Sequence, residues 1–421
     1  MDDKSFRIII IGGGIAGLAT AVALRGPGRE ITVLEQSSQL REIGAGISLQ
    51  PNASKIVEDW WGLQPMLHTR KCAVDKGFRL FRSDGTLAKV INLDTREKYG
   101  GSRMVYHRQD LLDALREAAI DPGRPGPPAE ILTSQHVTVC EPTTGIVTTI
   151  GGTTLQADLI IGADGIKSTI RQFVLDRPQN AVRTGLSAYR FLIPMEHMLQ
   201  SAEFTRYIDP RDEFTTMVLC HDHRLVMGPV RQGESYSVVA LTSDADIRED
   251  SSNTSWTSVG DPRRFLETFS DLPLWLLEPF RNITSMGLWQ LRDLDPLETW
   301  TKGRIILIGD AAHAMLPTQG QGASQAIEDA EALGSFFEGI NCRPNLEQIA
   351  ECLKNVFRAR YERATLVQMY SRQQARPATD ANSIEIKLNT DEFTHFNYSY
   401  NGAKDWLARL SKEAGGSNRL F

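Results

Sequence analysis

Four residues near the start of the chain could together bind a dinucleotide. Gly12, Gly14 and Gly17 stand in the pattern G-x-G-x-x-G directly after the run RIIIIG, and Glu35 follows 18 residues after Gly17. Glycines allow a turn to approach a pyrophosphate closely, and its charge then sits at the positive end of the next helix. An acid at the end of the second strand can accept both ribose hydroxyls of an adenosine. It also disfavours a 2′-phosphate, so the loop suits FAD or NAD and is a poor NADP site.

Two further constellations carry acids and glycines at strand ends. In ADLIIGADGIKSTIR, residues 157–171, an apolar strand ends at Gly162-Ala163-Asp164-Gly165 and a helix begins around Ser168 and Arg171. In GRIILIGDAAHAMLPTQGQGASQAIEDAEALG, residues 303–334, a buried strand delivers Asp310 to its carboxyl end, where ligands bind in α/β sheets. Asp310 could bind a ribityl hydroxyl. The backbone N–H groups of PTQGQG and the helix that follows could face an electron-rich ring or an oxyanion.

Together these stretches resemble the FAD-dependent aromatic monooxygenases of the single-component class, which share the para-hydroxybenzoate hydroxylase-like fold. The salicylate hydroxylase-like branch, common in fungal secondary metabolism, is the nearest in pattern. The resemblance covers most of the chain in order. It runs through GGGIAGL with Glu35, EIGAGISLQPNA at 42–53, His107-Arg108-Gln109-Asp110-Leu111, GADGIKSTIR, AYRF at 188–191, and GDAAHAMLPTQGQGASQAIEDA.

The resemblance implies a role for each matching position. Gly12, Gly14, Ala16, Gly17 and Glu35 would hold the ADP half of FAD. Ala45 and Gly46 fall where the backbone runs along the flavin, and Arg108 matches an arginine that reaches FAD. Asp164 matches an acid linked to both FAD and nicotinamide recognition. Asp310 matches the ribityl-binding acid, with Gly322 and Ala323 near the flavin pyrimidine. Arg190 matches the arginine that orients a substrate oxyanion or assists oxygen transfer from a flavin hydroperoxide, a task that a permanently charged guanidinium with several donors suits.

The implied activity is a monooxygenase that binds FAD non-covalently, consumes NADPH or NADH and dioxygen, and adds one oxygen atom to an electron-rich aromatic or indole-type natural product. Hydroxylation, oxidative dearomatisation and epoxidation all stay open, and so does a place in alkaloid biosynthesis. The strand TTMVLCHDH, 215–223, lacks the tyrosine that phenol-oxidising relatives place there, which leans away from salicylate. A salicylate-type phenol hydroxylase and a non-oxygenating flavin dehydrogenase or reductase are the alternatives. Cys220, His221, Met227 and Pro317 are expected near the substrate. His221 and His223, flanking Asp222, also read as residues of a hairpin tip, and His313 reads as structural.

These side chains need a scaffold. Residues 6–35 read as strand, helix and strand, with FRIIII first, a helix from Ile15 to about Arg25 rich in small residues, and EITVLE last. Residues 36–55 read as a loop turning into a helix. Alternation over 77–97 with Asp84–Gly85 between predicts a hairpin. A helix is expected from His107 to Ala119, a Pro/Gly loop over 121–130, and strands at 136–140, 146–150 and 157–162. Short alternating strands over 181–285 predict an antiparallel sheet inserted into the first domain. Helices are expected over 262–280, 321–338 and 346–380. The fold class is therefore α/β, a Rossmann-like FAD-binding domain with an inserted antiparallel-sheet substrate domain and a C-terminal helical segment. The FAD-binding domain takes 1–76, 98–180 and 286–345. The substrate domain takes 77–97 and 181–285, and the helical segment 346–421.

Bulk properties exclude other classes. With 421 residues there is room for more than one core, and a net charge of −6 with a pI near 5.8 leaves no nucleic-acid footprint. Five scattered cysteines without a CxxC pair argue against a zinc site or a disulfide framework, so no metal is expected. The N-terminus enters a strand after a few charged residues, and no apolar run reaches 18 residues. A cytoplasmic monomer or homodimer without a signal peptide or membrane span is expected, acting on a small aromatic molecule. No WxWxIP pattern of a flavin halogenase is present.

Overall fold

The computed structural model describes residues 5–40, 45–245, 257–375 and 386–413. Residues 42–44 of the second motif and the polar tail from 414 lie outside them. A six-stranded sheet is built around Phe6–Ile11, in the order Thr301–Lys302, Ile305–Leu307, Leu159–Gly162, Phe6–Ile11, Arg29–Leu34, Glu130–Leu132. All neighbours are parallel except the two-residue edge strand. Apart from Arg7, every residue of Phe6–Ile11 is buried, as a strand covered by helices on both faces requires. The helix Ile15–Leu24 packs on Gly322–Phe336, and a Cβ on Gly334 would lie 2.9 Å from the carbonyl oxygen of Ala23. The small residues expected in the first helix are what permit that approach.

An eight-stranded sheet runs Thr257–Val259, Gly287–Asp293, Val182–Pro194, Ser235–Ser243, Arg224–Val230, Thr215–Leu219, Gly77–Arg82, Leu87–Asn92. Only Thr215–Leu219 and Gly77–Arg82 pair parallel. The hairpin expected over 77–97 is present, turning through Gly85 at φ 80°. The sheet also takes in Gly287–Asp293, which lies past residue 285 and pairs with Val182–Pro194. One face of this sheet packs Tyr189, Phe191, Tyr236 and Val238 against Phe265, Phe269 and Phe280. The latter come from residues 262–280, which form not one helix but Pro262–Thr268, Leu274–Leu277 and a short turn Glu278–Phe280. Pro273 is extended, with ψ 141°, and restarts the helix there.

Two smaller sheets complete the strands. Val137–Cys140, Ile146–Thr149 and Thr154–Gln156 form one. Gly46–Leu49, Met104–His107 and Ala73–Val74 form the other, so part of the stretch read as a loop is a strand. Its partner is more than fifty residues away, and such pairing is decided by tertiary contact rather than local sequence.

The helix Leu346–Gln373 ends before the expected 380, with its cap at Gln374. Arg360 and Arg363 from this helix reach Glu328 and Asp329 on Gly322–Phe336, and all four side chains are fully buried. Each charge is countered and hydrogen-bonded, the condition under which buried ions persist. Among the described residues no helix is long and apolar enough to cross a membrane.

Candidate active site

The three glycine-bearing turns converge at the carboxyl ends of adjacent parallel strands. Gly12, at φ 110°, leaves Phe6–Ile11 so close to the second turn that a Cβ would lie 2.3 Å from the carbonyl oxygen of Ala163. A Cβ on Gly309 would lie 2.9 Å from that of Ala16, which brings the third turn over the start of the first helix. Gly17 abuts the Gly12 carbonyl, where a Cβ would lie at 1.9 Å. Gly14, Gly165 and Gly322 behave oppositely: a Cβ at any of them would meet nothing within 4 Å. Each turn therefore spends one glycine on packing or chain direction and leaves another bordering open space. A dinucleotide cofactor fits such a cradle, and the first turn of Ile15–Leu24 carries no acid that would repel a pyrophosphate.

Glu35 follows the second strand and closes on the loop. Its Oε2 accepts the N–H of Gly13 at 2.7 Å and its Oε1 that of Ser37 at 2.7 Å. Each carboxylate oxygen keeps a further lone pair, so the geometry is compatible with a ribose. Asp164 is engaged by its own turn, accepting from Ser168 Oγ at 2.6 Å, Thr169 N at 2.7 Å and Ile170 N at 3.0 Å. Burial pushes its carboxyl above the usual range against those bonds. Asp310 opens the short helix Asp310–His313 with its side chain exposed. Its backbone is held by Arg171, whose Nη2 donates to the Asp310 carbonyl at 3.2 Å and whose Nε donates to that of Ala311 at 2.8 Å.

A second wall comes from the small antiparallel sheet. Arg108 begins the helix Arg108–Ile120, and its N–H donates to the carbonyl of Ala45 at 2.9 Å, while Gly46 pairs with His107. Asp110 holds Arg231 through two bonds of 2.7 Å, tying this helix to the eight-stranded sheet. Burial and the Arg231 guanidinium keep the His107 imidazole below its ordinary pKa. The loop Pro317–Gly320 meets the same wall, since a Cβ on Gly320 would lie 3.3 Å from Gln50 Nε2 and 3.4 Å from Ser48 Oγ. Ala323 packs against the core beside it. Ala45, Gly46, Arg108, Gly322 and Ala323 thus belong to one region.

Between the small sheet and the eight-stranded sheet lies a cavity of about 110 Å³, roughly the scale that holds one aromatic ring. Its lining includes Gly46, Ser48, Val105, Val226, Gly228 and Val239. Arg190 is the cross-strand partner of Val239 and faces the same way, opposite to the Tyr189–Phe191 core. Ala188 on that face clusters with Leu316, the residue before Pro317. The Arg190 guanidinium lies over the Trp289 ring at 5.2 Å. Its other strand partner is Gly287, where a Cβ would collide with that ring at 2.2 Å, so the glycine makes the room.

The other expected pocket residues are spread more widely. Met227 borders the cavity, but its side chain belongs to the opposite core. The 220–223 tip is a hairpin turn, with Cys220 N–H donating to the His223 carbonyl at 3.1 Å. His221 is exposed and bonds Asp222 at 2.6 Å, and His223 stands against Asp271 at 3.1 Å. Cys220, His223 and Asp271 present ligand atoms within 4.8 Å of one another, on the helix-covered side of the sheet. His313 is buried against Asp329 at 2.7 Å. The cavity is lined instead by Asp75, Arg103 and Thr215, none of which belongs to a motif. Only the placement of charges beside short apolar strands could have drawn attention to them.

Residues 5–338 match the family described as FAD binding domain. The chain is similar to hispidin-3-hydroxylase of Neonothopanus nambi, at 32% identity over 79% of this chain and 81% of that protein. It is similar to salicylate hydroxylase of Pseudomonas putida at 32% identity, covering 98% of each. Among solved structures, CtdE in complex with FAD and a substrate superposes with a TM-score of 0.78 at 25% identity, covering 97% of this chain and 100% of that one.

Proposed function

The chain belongs to the FAD-dependent monooxygenases, and from that premise we propose that it consumes NAD(P)H and dioxygen to place one oxygen atom on an electron-rich aromatic natural product. The observation that carries this reading is the placement of Arg190. It shares a sheet face with a ring-sized cavity beside the glycine-rich loop after Pro317. Fungal relatives named for hydroxylation of hispidin and for FAD-dependent monooxygenation favour a secondary metabolite over a catabolic substrate.

Gly12, Gly14, Ala16, Gly17 and Glu35 would hold the adenosine and pyrophosphate, with Asp310 at the ribityl chain. Ala45, Gly46, Arg108, Gly322 and Ala323 would border the flavin ring, and Asp164 would shape the turn beside it. Bound FAD supplies electron transfer from the nicotinamide nucleotide and activation of dioxygen for transfer to carbon. The chain's own work is to hold the ring in place and exclude water. The Arg190 guanidinium would steady negative charge on the substrate oxygen. The Trp289 ring limits where that guanidinium can go. The test is turnover under ¹⁸O₂ with NADH or NADPH and a panel of phenols and indoles. One labelled atom in the product is expected. Yellow protein that oxidises the nucleotide without labelling any product would leave a dehydrogenase or reductase instead.

A further inference from the structure

The two sheets that wall the cavity meet beside the turn Arg231–Gly233, which joins Arg224–Val230 to Ser235–Ser243. Its backbone is strained. Arg231 stands at φ 52° and Gln232 at φ 53°, in the left-handed region that most side chains avoid, before Gly233 at φ 85°. Five described non-glycine residues have a positive φ, and three of them meet at this junction. The third is Lys71, whose side chain pairs with Glu234. Gln232 Nε2 reaches the carbonyl of Cys72 at 3.4 Å. Strain of this kind persists only where surrounding contacts hold it, and it gathers at sites that need a fixed geometry.

The contact that holds this turn is an ion pair across the two sheets. Arg231 donates from Nε to Asp110 Oδ2 and from Nη2 to Asp110 Oδ1, both at 2.7 Å, a fork that fixes direction as well as distance. Asp110 lies in the first turn of Arg108–Ile120, and Arg231 Nη2 also stands 3.4 Å from Nδ1 of His107, the residue before that helix. His107 pairs with Gly46, whose N–H donates to Ser237 Oγ at 3.1 Å. One side chain thus ties the helix entry at Arg108 and the small sheet to the strand that lines the cavity at Gly228 and Val230. The turn itself does not call for arginine, since glycine or asparagine takes this backbone more easily. The strain is accounted for by the place that the guanidinium reaches.

We propose that Arg231 is a positioning residue for the flavin: its clamp on Asp110 fixes the wall formed by Ala45, Gly46 and Arg108, against which the bound ring would rest. The proposal rests on the reading of that wall as the border of the flavin.

FAD titration by flavin fluorescence tests it in Arg231→Gly, Asp110→Asn and the double variant, each beside the melting curve of the cofactor-free protein. Each single variant is expected to bind FAD about tenfold more weakly, and the double variant no more weakly than either, because the two groups act as one. Glycine relieves the turn, so cofactor-free Arg231→Gly is expected to melt close to the wild type. At saturating FAD the visible flavin band is expected to shift in all three. It should return toward the wild-type position in Arg231→Lys, which keeps the charge and loses the fork. A clamp that served folding alone would lower melting and affinity together and leave the band of the FAD-saturated protein in place. Wild-type affinity in the single variants, losses that add in the double variant, or an unmoved band overturn the proposal. If Arg231→Gly does not fold, Asp110→Asn and Arg231→Lys decide by the same titration and the same band. Wild-type protein that takes up no FAD removes the cofactor reading itself, whereas variants that match an FAD-binding wild type remove only the role of Arg231.

Discussion

Asp329 holds His313 through a bond of 2.7 Å from Nε2 to Oδ2, and the same oxygen accepts the N–H of Gly309 at 2.9 Å. A helix buried behind the candidate cofactor site thereby fixes the turn that presents Asp310. Arg360 Nε donates to the other oxygen of Asp329 at 2.9 Å. Burial works against the Asp329 charge, while His313 and Arg360 hold its carboxyl below the usual range. Asp329→Asn keeps the shape and removes the charge facing Arg360. The expected loss is about 3 kcal/mol of stability, as for other buried pairs broken at one partner. Thermal unfolding of the cofactor-free protein measures it, and an unchanged transition would remove the network from any structural role.

The glycines of the first loop separate packing from ligand space. Gly17→Ala places a methyl 1.9 Å from the Gly12 carbonyl oxygen and should prevent the turn, lowering both stability and FAD retention. Gly14→Ala meets no protein atom within 4 Å. It should leave the melting of the cofactor-free protein unchanged and weaken FAD by about tenfold or more, because the methyl enters space proposed for the pyrophosphate. Flavin fluorescence titration of the two variants beside their melting curves checks both. Equal FAD affinity in Gly14→Ala and the wild type would place the cofactor elsewhere.

Arg190→Gln keeps a polar side chain and removes the charge. FAD content should stay at the wild-type level, because Arg190 stands on the eight-stranded sheet and not on a glycine-bearing turn. Product formation should fall about 100-fold or more, the range for loss of one donor that stabilises developing charge. Chromatography of products beside the flavin absorbance tests this. Unimpaired product formation would remove Arg190 from the chemistry.

Lys55 gives a pH signature of folding. It is 4% exposed, donating to the carbonyl of Tyr99 at 3.0 Å and to Asn401 Oδ1 at 3.1 Å. Burial lowers its pKa to about 8 from 10.5. Between those values the unfolded chain binds a proton that the folded chain has released, so this group makes stability rise with pH. Relative to Lys55→Met, the wild type should gain roughly 1–3 kcal/mol between pH 7.5 and 10.5, with other groups cancelling in the difference. Melting curves of both proteins across that range decide it. A difference that is flat or shrinks with pH would refute the shift.

Much of the scaffold was legible because it follows local rules. The run FRIIII is long and apolar enough to be a sheet centre, and Asp84–Gly85 between alternating segments specifies a hairpin. The glycine turns were legible as close strand-to-helix turns because their spacing reflects backbone geometry. What the sequence hid depends on contacts between distant segments. Gly46–Leu49 becomes a strand only because Met104–His107 lies beside it. Asp75 and Arg103 are 28 residues apart, on separate segments, and neither stands in a pattern that signals burial. The hairpin tip at 220–223 was read correctly as a turn. Its cysteine and His221 were nevertheless placed near the substrate, since a sequence does not say which side of a sheet faces a cavity.

The buried arginines of the long C-terminal helix also set an order of assembly. A ribosome that has released residues up to 345 has already delivered all three glycine turns. Glu328 and Asp329 are then still without Arg360 and Arg363, and carboxylates lacking those guanidinium partners are costly to seal in a core. Burial of the helix after the glycine-rich loop thus draws on side chains that the ribosome adds later. A chain cut before residue 360 would therefore lack both of the guanidinium groups that pair with the helix after the glycine-rich loop.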